Sequence, residues 1–211
     1  MTATAATTEL YGVITAGPTA RERLQAVLDA CTMASILIRP LPGARLGGGE
    51  VKPLVEMIQK RGVAAIVEDD AQLARTVRAD GVHLTCREGI LEAYAEARRT
   101  LGDRFIVGAD AGQSRHLAMS LGEAGVDYVG FGLLEPGAET ARQTRDDLAG
   151  WWSEIFEIPC VVFGVTTPDE AAALAQTGAD FVAVTIPPGL APAAARDMMT
   201  DIESALGHVA P

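Results

Sequence analysis

The sequence predicts a single-domain (β/α)8 barrel over residues 1–211, with residues 1–9 as a flexible tail. Three observations predict it. Eight short apolar runs recur along the chain, eight stretches with helical periodicity alternate strictly with them, and one strand-opening plan appears three times. Strict alternation of this kind implies a parallel sheet, and eight units are the number that closes a TIM barrel. A doubly wound open sheet is the alternative, but its usual five to seven strands (about that number) would leave a unit unused.

In chain order the strands are predicted at 10–14, 35–38, 64–67, 81–84, 105–109, 127–131, 160–163 and 181–184. Each is a short apolar run between polar junctions, the pattern of strands covered on both faces. The helices are predicted near 20–33, 50–61, 70–78, 88–101, 114–124, 145–156, 168–177 and 191–206. Thr167-Pro168-Asp169-Glu170 opens the seventh with a Thr cap, Pro at the first helical position and Glu at the third, a capping box. The fourth, sixth and eighth strands share the repeated plan. A helix ends near Gly or Ala, an Asp follows (Asp80, Asp127, Asp180), and the strand begins. The Gly supplies the left-handed helix stop, and the Asp falls on the floor of the barrel, where residues support the fold rather than chemistry. Two irregular stretches, 40–49 and 133–144, follow strand ends and so face the mouth.

Composition narrows the function. Hydrophobic residues make up 48% and aromatics 5%, so a core of Ala, Val, Leu and Ile is expected. The net charge of −11 argues against binding a nucleic-acid backbone. No apolar run reaches the length of a membrane span and no secretory leader is evident, which places the protein in the cytoplasm. Cys31, Cys86 and Cys160 are odd in number and far apart, so neither a disulfide framework nor a thiolate zinc site is expected. Lys52 and Lys60, the only lysines, lie on the second helix, which excludes a Schiff-base aldolase.

The chain resembles the thiamine-phosphate synthase family, including its thiazole-tautomerase branch. The likeness runs through Val67-Glu68-Asp69, Ala79-Asp80-Gly81-Val82-His83-Leu84, the segment from Gly125 to Gly132, the segment from Pro159 to Pro168, and Gly178-Ala179-Asp180. It implies a transferase that joins a hydroxymethylpyrimidine diphosphate to a thiazole phosphate, releasing pyrophosphate with magnesium. It also implies small phosphorylated metabolites as partners and a homodimer as the assembly.

By that resemblance Asp69 and Glu88 would be the magnesium ligands, and Arg39 and Arg142 the catalytic cations. Arg39, Thr140, Gly164 and Val165 would bind substrate phosphate. The pattern is incomplete. Pro40 and Leu41 stand where the family has an acid and a lysine, Asp110-Ala111-Gly112 replaces Ser-x-His, and Pro136 to Thr140 lacks the family's lysine. Ile186, followed by Pro187-Pro188, stands at a family serine. The alternative function is a diverged paralogue that binds a different small anionic ligand.

Each candidate has a structural alternative. Asp69 or Asp70 could cap the third helix, and Glu88 could sit in the first turn of the fourth. Arg39 could pair with Asp69 or Glu68, and Arg142 could be a solvated surface residue. His83 is expected buried and hydrogen-bonded, and His116 solvated. Gly47-Gly48-Gly49 lacks a P-loop lysine and is expected to be a flexible mouth loop. Trp151 and Trp152 are adjacent on one helix, so they cannot both face the barrel.

Overall fold

The computed structural model describes residues 8–132 and 139–207. Within them β1 (Glu9–Thr15), α1 (Ala20–Leu28), β2 (Ser35–Arg39), α2 (Gly48–Gln59), β3 (Ala64–Glu68), α3 (Ala71–Val77), β4 (Gly81–Leu84) and α4 (Ile90–Leu101) form the first half. The second half is β5 (Ile106–Asp110), α5 (Arg115–Ala124), β6 (Tyr128–Phe131), α6 (Glu139–Ile155), β7 (Cys160–Val165), α7 (Pro168–Gln176), β8 (Phe181–Ile186) and α8 (Pro192–Gly207). All neighbouring strands pair in parallel, and β1 pairs with β8 to close the barrel.

Thr8, placed in the tail by the sequence, donates its hydroxyl to Ala179 O at 2.6 Å, and Glu9 already opens β1. The glycine run forms no loop: Gly47 is the N-cap of α2, and Gly48 and Gly49 are its first residues. Of the stretch 133–144, residues 133–138 lie outside the described residues, and 139–144 are helical, since α6 begins at Glu139. Its first two turns, ETARQTRDD, carry no apolar stripe, so hydrophobic periodicity could not reveal them.

Side chains alternate between two layers along each strand. The outer layer, against the helices, is aliphatic as expected, with Ile14, Ile38, Val67, Val107, Val129, Val162 and Ile186 fully buried. The barrel interior is mixed. Tyr11, Tyr128 and Phe163 stand there with His83 among Val13, Leu37, Ile66, Val161 and Ala183, so three of the few aromatic rings lie at the centre. Small residues make the room. A Cβ on Gly108 would fall inside the Tyr128 ring, and one on Gly130 would press on Phe163 and His83.

The three repeated aspartates pin strands together at the floor. Asp80 accepts the N–H of Ala65 at 2.7 Å, Asp127 that of Val107 at 2.7 Å, and Asp180 that of Cys160 at 2.9 Å. Each carboxylate therefore satisfies an amide at or beside the start of the preceding strand and fixes the register of the pair.

Candidate active site at the carboxyl mouth

Alternation decides which strand-end residues belong to the inner layer. Leu37 and Ile66 pack in the interior, so Arg39 and Glu68, two residues on, share their face. Gly108, which lies beneath the Tyr128 ring, gives Asp110 the same parity. The inner rim thus carries Arg39 on β2, Glu68 on β3 and Asp110 on β5. Arg39 Nε lies 3.5 Å from Glu68 Oε2, and both side chains are largely buried. The ion pair weighed as an alternative for Arg39 is formed, with Glu68 rather than Asp69.

Asp69 follows β3 in a left-handed conformation, φ 55°. Asp70, not Asp69, caps α3, accepting from Leu73 N at 2.8 Å. The Asp69 carboxylate turns instead to the end of β4. It accepts the Thr85 N–H at 3.0 Å, the Thr85 hydroxyl, and a short charged hydrogen bond from Arg87 Nη1. Glu88 is exposed in the turn ahead of α4 and outside its first turn. Among the described residues no group of three or more His, Cys, Asp or Glu side chains could enclose a metal ion. Asp69, already holding a guanidinium, does not fit the part of a magnesium ligand alongside Glu88.

The remaining candidates sit at the ends of β6, β7 and β8. Pro136, Gly137 and Ala138 lie outside the described residues. Thr140 is exposed in the first turn of α6, where its carbonyl accepts the Thr144 hydroxyl, and Arg142 is half-buried on the same helix. Gly164 takes φ 79° at a bulge between Val162 and Val165. Val165 is buried in the outer layer, so it offers a ligand only its backbone. Ile186 is likewise buried outward, and a serine there would present no hydroxyl to the mouth. The Pro187 carbonyl accepts from Arg23, a buried α1 arginine that also reaches the carbonyls of Thr15 and Ile186.

Below the rim, His83 Nδ1 lies 3.0 Å from the Tyr128 hydroxyl, which lies 3.1 Å from that of Tyr11. His83 is buried and hydrogen-bonded, as expected. Burial pushes it down to about 4 against the opposing charge of Asp69, so the ring is neutral at pH 7. His116 is exposed on α5. Trp152 is fully buried, while Trp151 lies partly exposed under the Arg115 guanidinium, 4.8 Å from the ring centre. The three cysteines are free, and Cys86 is exposed beside Gly112.

The sequence reading missed Arg87 and Asp110, although Arg87 directly precedes the chosen Glu88. Asp110 is 5% exposed and accepts the Gly112 N–H at 2.7 Å. Burial pushes its carboxyl up to about 7, with the Gly112 bond opposing. The folded protein therefore binds this proton more tightly than the unfolded chain, and stability falls as pH rises from about 4 to about 7. Asp110→Asn should remove the dependence. Measured by urea denaturation, the variant should gain about 2–4 kcal/mol on wild type between pH 4 and pH 8. An unchanged difference across that range would show that Asp110 does not set it.

Comparisons with known proteins agree with the fold and fix the family. A family model described as thiamine monophosphate synthase matches residues 10–186. The thiamine-phosphate synthase of Rhodospirillum centenum is 42% identical over 166 residues, covering 76% of this chain and 78% of the relative. That of Erythrobacter litoralis is 44% identical over 137 residues, and the match spans only 63% of each chain. Among solved structures, thiamine phosphate pyrophosphorylase from Pyrococcus furiosus superposes with a TM-score of 0.75 at 24% identity, covering 97% of this chain and 98% of that one. The tryptophan synthase alpha subunit of Legionella pneumophila, at 17% identity and a TM-score of 0.71, covers 95% of this chain and 93% of its own. These two likenesses concern the fold alone. With most of its strands and helices inside the matched segment, this chain belongs to the thiamine monophosphate synthase family.

Proposed function

We propose that the chain is a thiamine-phosphate synthase, joining a hydroxymethylpyrimidine diphosphate to a thiazole phosphate. The family match over residues 10–186 carries this reading. The convergence of Arg39, Glu68, Asp69 and Asp110 on the carboxyl ends of the strands supports it, since barrels of this kind react there. In the reaction the C–O bond to the diphosphate breaks and pyrophosphate leaves with the electron pair. The thiazole nitrogen supplies the pair for the new C–N bond. The chief task of the mouth is to stabilise charge on the leaving group. Arg39 would meet that charge from β2. Thr140, Arg142 and the backbone at Gly164 and Val165 would hold the second phosphate. A cytoplasmic homodimer belongs to the same proposal; Met119 on α5 and Ile155 on α6 are exposed apolar side chains that such an interface could cover. No helix among the described residues is long and apolar enough to cross a membrane.

Purified protein given both substrates should release pyrophosphate and thiamine phosphate, followed by chromatography. Turnover well below a typical enzyme's value of about 10 s⁻¹ is expected, because Leu41 and Thr140 stand at family lysines. Leu41 is exposed just beyond β2. Leu41→Lys should raise the rate about tenfold to a hundredfold, since one well-placed charge is worth up to about a thousandfold. Absence of product from both proteins would sink the proposal. The diverged paralogue is the second reading, favoured by one observation: Glu68 and Asp110 put two acids on the inner rim. It would appear as a rise in melting temperature with a phosphorylated ligand and no turnover.

A further inference from the structure

The junction after β4 carries an arginine where a metal would be held. Asp69 occupies a backbone region that non-glycine residues visit rarely and at a cost. Three hydrogen bonds offset that cost. Its N–H donates to His83 O at 2.9 Å, its Oδ1 accepts from Thr85 N, and its Oδ2 accepts from the Thr85 hydroxyl. Arg87 then completes the carboxylate with a charge-assisted bond to Oδ1. Magnesium demands near-octahedral oxygen ligands at about 2.0–2.1 Å. To reach Asp69 it would have to displace or crowd a like-charged guanidinium.

The same geometry leaves a cation facing outward. Arg87 uses Nη1 for Asp69 and Thr85, and its side chain is 40% exposed. Its Nε and Nη2 make no hydrogen bond to the described residues. Next along the rim, Arg39 forms an ion pair with Glu68, its Nε 3.5 Å from Oε2. Two acids at the end of β3 thus each orient one arginine, from β2 and from beyond β4. A planar guanidinium held by a carboxylate on one edge can bind phosphate oxygens with its other edge, and its charge does not depend on pH.

We infer that Arg87, together with Arg39, takes the part that the family resemblance gives to magnesium. The mouth binds the diphosphate directly, and this binding is independent of divalent metal. The inference rests on the synthase reading for the identity of the diphosphate. It is tested with inorganic pyrophosphate on the full chain, by titration calorimetry in EDTA and again in magnesium. The dissociation constants in the two conditions should agree within about threefold, and Arg87→Gln should weaken binding in EDTA by about tenfold or more. Arg87 is exposed, so the variant should fold, and an unchanged melting temperature would show that it does. Binding seen only with magnesium and lost in Asp69→Asn would overturn the inference while leaving the synthase reading intact. Equal binding by wild type and Arg87→Gln in EDTA would also overturn it. Failure of the synthase reading shows elsewhere, as absence of product when both substrates and magnesium are supplied.

Discussion

Gly108→Ala is expected to cost at least about 4 kcal/mol, beyond the usual 1–3 kcal/mol of overpacking, because the collision cannot be relieved by a rotamer change. The added Cβ would overlap the Tyr128 ring, which the His83 and Tyr11 hydrogen bonds fix at the centre of the barrel. Two effects favour alanine, about 0.8 kcal/mol from a buried methyl and up to about 1 kcal/mol from a less flexible unfolded chain. Neither offsets a shifted aromatic cluster. Urea denaturation would measure the loss, and the same exchange in a Tyr128→Leu background should cost much less. A Gly108→Ala midpoint close to that of wild type would mean that the interior is looser than its packing shows.

Arg145→Met should lower stability by about 3–5 kcal/mol at pH 7, the cost of breaking a buried ion pair on one side. Arg145 is 3% exposed on α6 and reaches three acceptors. Nε binds Asp146 at 2.8 Å, Nη1 binds Phe163 O at 2.9 Å, and Nη2 binds Glu170 at 2.6 Å. Burial alone would raise the Glu170 carboxyl. The Arg145 bond and charge, with the Thr166 N–H, hold it below the usual range. A lowered acid gives stability that is present above its unfolded pKa and lost as pH falls through the folded value. The gap between wild type and variant should therefore narrow in acid, as Glu170 takes up its proton. Arg145→Met combined with Glu170→Leu should recover much of the loss. A double variant no better than the single would assign the effect to packing against Gly132 instead.

The eight strands were legible because each is a bounded apolar run, and the observed ends lie close to the predicted ones. The inner and outer faces were not. Strands of a parallel barrel are apolar on both sides, so no period of two marks which side looks inward. That is why the sequence did not show that Asp110 lies on the inner rim, or that aromatic rings join the aliphatic side chains of the interior. The N-cap at Thr167 was legible and is formed, with Glu170 N donating to the Thr167 hydroxyl at 3.2 Å. The reciprocal half of the box, expected from the same motif, does not form, since the Glu170 carboxylate accepts from Thr166 and Arg145 in place of the Thr167 N–H. At the site, the family resemblance pointed to Arg39, but choosing its partner requires the register of β2 against β3. Arg87 needs still more: the unusual backbone turn at Asp69, which no local propensity announces.

The floor aspartates divide the barrel in a way its uniform alternation conceals. Each joins an even strand to the odd strand before it: β4 to β3, β6 to β5 and β8 to β7. None of the three spans β4 to β5 or β6 to β7, where the peptide ladder runs without such a key. In three of the four strand pairs the structural unit is thus two strands and two helices that carry their own alignment key. A duplication or exchange of that pair would bring both the carboxylate and its amide. Copying a single strand would separate lock from key, leaving one amide unanswered at the base of the new wall.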